Sequence, residues 1–220
     1  MTKEKMKERY ERAKEAMEKA KAEMERYGRE MEEADKNEIW KTACRHHISA
    51  EELIALPEEA WLAALREGCR NIGRTLSDTR GLTHSFLDCR KQILALFEDL
   101  RRMAGESCLA WQLAFELRLK RSRHVRIYAD VLVITEDRVF SLEFKMKKEP
   151  VPEEVEQAAK YVPYLEILFG PRYEIIPVLV LTGARELFSF VPIGEEDRLL
   201  PVCSGDMLFT VFDESLGFLN

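Results

Sequence analysis

Three periods of apolar and polar residues divide this chain. Between residues 3 and 36, Met6, Tyr10, Ala13, Met17, Ala20, Met24, Tyr27 and Met31 recur in alternating steps of four and three. That is the spacing of a coiled-coil seam on one long helix. Charged residues fill the gaps, acids and bases in equal number, so the helix reads as a zwitterionic, solvated arm and not as a basic nucleic-acid tail. Its seam holds no Leu, Ile or Val, which predicts docking on the rest of the chain or on a second copy in a homodimer.

Residues 38–83 predict short packed helices. Ser49 precedes Ala50-Glu51-Glu52 as an N-cap with acids in the first turn. Pro57 opens a further helix with Trp61, Leu62 and Leu65 on one stripe. His46 and His47 are adjacent, so on a helix they diverge and make poor joint ligands. Residues 84–103 form an amphipathic helix through Phe86, Ile93, Leu94, Phe97 and Leu100, ending near Gly105.

The period then falls to two. From Leu109 to Lys120, Trp111, Leu113, Phe115, Leu117 and Leu119 share one face, and Gln112, Ala114, Glu116, Arg118 and Lys120 the other. Residues 125–134 and 138–146 read as a hairpin about Thr135-Glu136-Asp137-Arg138. Pro152 opens a helix that covers the sheet through Val155, Ala158, Ala159, Val162 and Leu165, and Pro163 interrupts it. Gln157 and Tyr161, at i and i+4, share a neighbouring stripe. They either point together at the chemical edge or pack at the boundary. Residues 174–182 predict a buried strand, paired regularly from Val178 because of Pro177. Beyond Gly183 come turn signals at Pro192-Ile193-Gly194 and Ser204-Gly205-Asp206, and residues 206–212 predict a last strand or short helix. The expected organisation is a heptad helix over 1–37, a helical segment over 38–83 and an α/β domain over 84–220.

The hairpin concentrates the chemistry. Pairing Ile134 with Val139 sets Asp130 opposite Glu143, a like-charge pair that weakens a sheet unless neutralised. A divalent cation would neutralise it. Glu143 and Lys145 share one face while Phe140, Leu142, Phe144 and Met146 take the other. Mg²⁺ is held by one or two carboxylates with water and substrate phosphates, so the pair with Lys145 beside it suits metal-assisted phosphodiester hydrolysis. The same residues also fit a cross-strand ladder that solvates a sheet edge.

These residues resemble the PD-(D/E)xK nuclease superfamily. The stretch FELRLKRSRHVRIYADVLVITEDRVFSLEFK, with VEQAAKYVPYLEILFG and IIPVLVLTGA after it, is similar to the nuclease-type domain found ahead of helicases in some bacterial proteins. The likeness spans roughly residues 84–184 and leaves 1–83 aside. It implies a restriction-endonuclease-like core of helix, three-stranded meander, helix and strand. It also implies that Asp130, Glu143 and the backbone carbonyl of Phe144 hold Mg²⁺ or Mn²⁺, that Lys145 orients or activates water, and that Gln157 assists. A third acid would be Glu116 or Glu98, with Asp88 behind the latter. Ala129 stands where the eponymous proline would.

The net charge of −6 excludes a wholly basic surface. Arg118, Lys120, Arg121, Arg123 and Arg126 nevertheless form one acid-free run, and Lys147 and Lys148 follow Lys145. With Tyr161, these are the expected nucleic-acid contacts, although a solvated hairpin loop has the same composition. Five scattered cysteines with no C-x-x-C read as buried thiols rather than disulfides or a zinc site. No apolar run of membrane-spanning length occurs, so the expectation is a cytoplasmic protein without membrane contact. No P-loop is present, so a helicase or ATPase would be a separate partner. The leading expectation is a metal-dependent nuclease, a hydrolase of DNA or RNA. The alternatives are a non-catalytic nuclease-fold scaffold or nucleic-acid-binding subunit tethered by a coiled coil, and a purely structural coiled-coil adaptor.

Overall fold

A computed structural model describes residues 37–74, 83–121, 126–193 and 198–213. The chain divides into two compact units, Met1–Lys41 and Thr42–Asn220. Of the first unit, residues 37–41 are described and are helical. The heptad helix expected over residues 3–36 lies outside the described residues, as does Arg123.

The second unit is built on a seven-stranded sheet of order β1-β2-β3-β4-β5-β7-β6. Its strands are β1 (Cys44–Ser49), β2 (Gln112–Arg121), β3 (Arg126–Ile134), β4 (Arg138–Lys145), β5 (Glu174–Leu181), β6 (Phe188–Ile193) and β7 (Arg198–Ser204). Strands β1 to β4 pair antiparallel, β5 joins β4 and β7 joins β5 in parallel, and β6 closes antiparallel on β7. The helices are α1 (Ala50–Ala55), α2 (Glu58–Glu67), α3 (Thr83–Ala104), α4 (Pro152–Ala159) and α5 (Val162–Phe169). The fold class is mixed α/β, and α3, β2-β3-β4, α4-α5 and β5 follow in the expected order.

Helix α3 buries Cys89, Ile93, Leu96, Phe97 and Leu100, a helical stripe. That stripe joins the cluster of Leu113, Phe115, Val131, Val133, Phe140, Leu142, Phe144, Val178 and Val180 on one face of the sheet. On a second cluster, Val155 and Ala158 of α4 pack with Leu179, Leu181 and Val202. A turn at Lys160–Tyr161 separates α4 from α5, which carries Pro163 in its first turn. Proline lacks the N–H that a continuous helix would need there.

Several expectations are corrected. The segment 38–83 is not wholly helical: Cys44–Ser49 is an edge strand that pairs His46 with Phe115, so His46 and His47 stand on a strand. Helices α1 and α2 follow it, and α1 is capped as expected: the Ser49 hydroxyl accepts the Glu52 N–H, and the Glu52 carboxylate accepts the Ser49 N–H. A 3₁₀ turn over Glu106–Ala110 delays β2 until Gln112. Strand β5 pairs with β4 from Glu174, through Ser141 opposite Pro177. Pro177 is tolerated because β7 pairs with β5 only from Leu179, leaving that side an edge. Strands β6 and β7 were not expected at all, and Gly205–Phe212 is a 3₁₀ helix. All five cysteines are buried free thiols. No helix among the described residues is long and apolar enough to cross a membrane.

Candidate active site

Four ionisable side chains stand side by side across four strands. The flanking pairs Cys44–Leu117 and His46–Phe115 set Arg45 beside Glu116. Phe115–Val131 and Leu117–Ala129 set Glu116 beside Asp130. The β3–β4 register, Ile134 with Val139 through Val131 with Leu142, continues to Asp130 beside Glu143. The ladder stops there, and the Asp130 carboxylate takes the Phe144 N–H at 3.1 Å. Glu116 also breaks the strand pattern, with a left-handed φ of 48° that non-glycine residues adopt only when their surroundings hold them.

Glu143 is 1% exposed. Its Oε1 accepts from Lys145 Nζ at 2.7 Å and from Gln157 Nε2 at 2.6 Å. The Lys145 ammonium also lies 3.4 Å from Gln157 Oε1, and Gln157 Nε2 reaches the Tyr161 hydroxyl at 2.8 Å. Gln157 on α4 and Tyr161 in the turn that follows it are thus delivered together to the carboxylate. The other Glu143 oxygen, Oε2, is buried with no hydrogen-bond partner. An unsatisfied buried carboxylate oxygen is costly, and a bound cation would remove that cost.

The electrostatics follow from this crowding. Desolvation, and then the facing Glu143 carboxylate, push Asp130 up to about 8 against the opposing pull of the Phe144 N–H and Lys145. Burial raises Glu143 as well, with Lys145 opposing. For Lys145, burial works against the charge, but Glu143, Asp130 and Glu154 together outweigh it, so the ammonium is held above its ordinary range. Tyr161 is raised by burial and by the Glu143 charge, which keeps its hydroxyl protonated. The result is a carboxylate pair short of positive charge beside a firmly protonated lysine.

The donor set fits a hard divalent cation: Glu143 Oε2, the Asp130 carboxylate and, as the sequence likeness implies, the Phe144 carbonyl. Mg²⁺ completes such a set with water and phosphate oxygens. No three of His, Cys, Asp and Glu are grouped as a ready cage among the described residues.

The other expected residues divide. Glu116 lies beside Asp130, but both of its oxygens are taken, Oε2 by Arg45 Nη1 at 2.6 Å and Oε1 by Arg74 Nη1 at 2.9 Å. Glu98 points outward to Arg102 and is 69% exposed, and Asp88 is half-buried, 3.5 Å from Gln92. Arg118 donates to the carbonyls of Asn71 and Thr42 and so braces the backbone. Lys120 is exposed over the Tyr164 ring at 5.7 Å, and Lys147 pairs with Glu154 at 2.7 Å. Lys148 is exposed, and Arg121 and Arg126 end β2 and begin β3. Tyr161, expected on the nucleic-acid surface, is 3% exposed and instead supports Gln157.

Three residues were missed, Arg45 on the edge strand among them. Glu154, 8% exposed with Oε2 unpartnered, adds a third carboxylate to the field at Lys145. Its signal in the sequence was only an acid in the first turn of a helix. Arg74 had no signal, being a single arginine in a loop. No protein-family model matches the chain, and no curated protein does.

Proposed function

We propose that this chain is a metal-dependent nuclease with the restriction-endonuclease-like core that its sequence resembles. The observation that carries the reading is the Glu143 carboxylate: buried, held through one oxygen by Lys145 and Gln157, unpartnered at the other, and opposite Asp130. Asp130, Glu143 and the Phe144 carbonyl would hold Mg²⁺ or Mn²⁺. When bound, such a cation neutralises the carboxylates and supplies Lewis acidity at a phosphodiester. Lys145 orients water and offsets charge on the phosphate, its ammonium held against Glu143 at 2.7 Å and kept above its ordinary range by the neighbouring acids. Gln157, fixed by Tyr161, holds Glu143 and Lys145 in register. The proposed substrate is DNA or RNA, and a separate ATPase remains a proposed partner.

One observation favours a second reading, a nuclease-fold scaffold: no three cation-ligating side chains are grouped among the described residues. Cleavage of labelled single- and double-stranded DNA and RNA in Mn²⁺, Mg²⁺ or EDTA separates the two. The nuclease reading predicts metal-dependent cutting, abolished in Asp130→Ala and reduced on the order of 100-fold or more in Lys145→Ala. Cutting that survives Asp130→Ala assigns the activity elsewhere, and no cutting by any form supports the scaffold.

A further inference from the structure

Arg45, Glu116 and Arg74 form a triad that neutralisation alone does not explain. Arg45 is 3% exposed, lies over the Phe86 ring at 4.4 Å and donates to the Leu65 carbonyl at 2.6 Å. This buried guanidinium already balances the one negative charge of Glu116. Arg74 is a second guanidinium on the same carboxylate, and its side chain is 23% exposed. The triad therefore carries one net positive charge, and its half-buried member, Arg74, is the one that solvent reaches.

The loop that presents Arg74 is built to hold it. Gly73 turns with φ +71°, which favours glycine, and the Arg74 N–H donates to the Cys69 carbonyl at 3.0 Å. Asn71 donates to the Cys44 carbonyl, its own carbonyl accepts from Arg118, and the Tyr128 hydroxyl donates to the Ile72 carbonyl. The Arg74 guanidinium lies 4.3 Å from the Tyr128 ring centroid while one edge meets Glu116. A guanidinium has five N–H donors, so donors remain for a ligand. Held flat on a ring and along one edge, it loses little further freedom on binding a phosphate.

We propose that Arg74 is a phosphate clamp for the nucleic-acid strand, taking a phosphodiester oxygen beside the bond that Asp130, Glu143 and Lys145 address. The clamp rests on the nuclease reading. Its carboxylate anchor, Glu116, neighbours Asp130 on the adjoining strand, and neighbouring strands lie about 4.8 Å apart. Arg118, expected to bind phosphate, instead braces the loop that carries the clamp.

The test measures anisotropy of a labelled oligonucleotide in EDTA across a salt series, with Mn²⁺ thermal shifts on the same proteins. Arg74→Ala is expected to weaken binding on the order of tenfold and to flatten the slope of log affinity against log salt by about 0.7–0.9. Arg74→Lys keeps the slope and recovers part of the affinity. Mn²⁺ stabilisation is expected unchanged in both variants. Wild-type affinity and slope in a folded Arg74→Ala protein overturn the clamp. So does wild-type protein that Mn²⁺ stabilises but that binds no oligonucleotide, which leaves the metal centre standing. Arg74-dependent binding without any Mn²⁺ stabilisation upholds Arg74 as a phosphate contact but sinks the metal reading, and with it the contact's place beside a scissile bond.

Discussion

Asp130 keeps its proton far above the usual aspartate range because desolvation and Glu143 both oppose its charge. An unfolded aspartate titrates near about 4, so the folded state binds this proton more tightly. Stability from the group is therefore complete below about 4 and is lost as pH rises through the folded value of about 8. In EDTA, melting temperature is expected to fall across that window in wild type and less steeply in Asp130→Asn, which also gains stability at its alkaline end. Parallel pH dependences in the two proteins would show that the carboxylate pair is not strained. Asp130, Glu143 and Lys145 were legible because strand alternation and a short turn fix the register. Gln157 and Tyr161 were legible from helical spacing. The partners of Glu116 were not: Arg45 depends on which strand lies beside β2, and Arg74 on a loop that returns from α2. Local spacing carries neither fact.

Strand β1 holds Arg45 in the row, and its placement depends on close backbone approach at Gly68. A Cβ at Gly68 would lie 1.6 Å from the Arg45 carbonyl oxygen, so Gly68→Ala must push β1 away. The expected cost is about 1–3 kcal/mol, read by urea unfolding, with weaker oligonucleotide binding because Glu116 and Arg74 lose their buried partner. Unchanged stability would show that the edge strand yields freely. The six residues of β1 carry Arg45, His46 and His47, a composition that neither strand nor helix periodicity claims, and a helix follows at once. Pro192 misled in a similar way. It lies in β6 opposite Leu199. On that edge strand a missing N–H costs little, although in sequence Pro192-Ile193-Gly194 reads as a turn.

Across the whole unit, β4 is the junction. It pairs antiparallel with β3 and parallel with β5, and the connection through α4 and α5 leaves its C-terminal end. Glu143 and Lys145 stand at that end, where the parallel crossover opens a place for a ligand beside a helix. The central order of helix, meander, helix pair and strand was legible from changes of period. The extension of the sheet by β1, β6 and β7 was not: β1 and β6 are edge strands, which bury less and announce themselves less, and Pro201 interrupts the short apolar run of β7. The unpartnered Glu143 oxygen is the feature on which the metal site rests, and a direct Mn²⁺ binding isotherm tests it, comparing wild type with Glu143→Gln. Saturable binding to wild type, lost in the folded Glu143→Gln protein, is the expected result. Equal binding by both, or binding by neither, would contradict it.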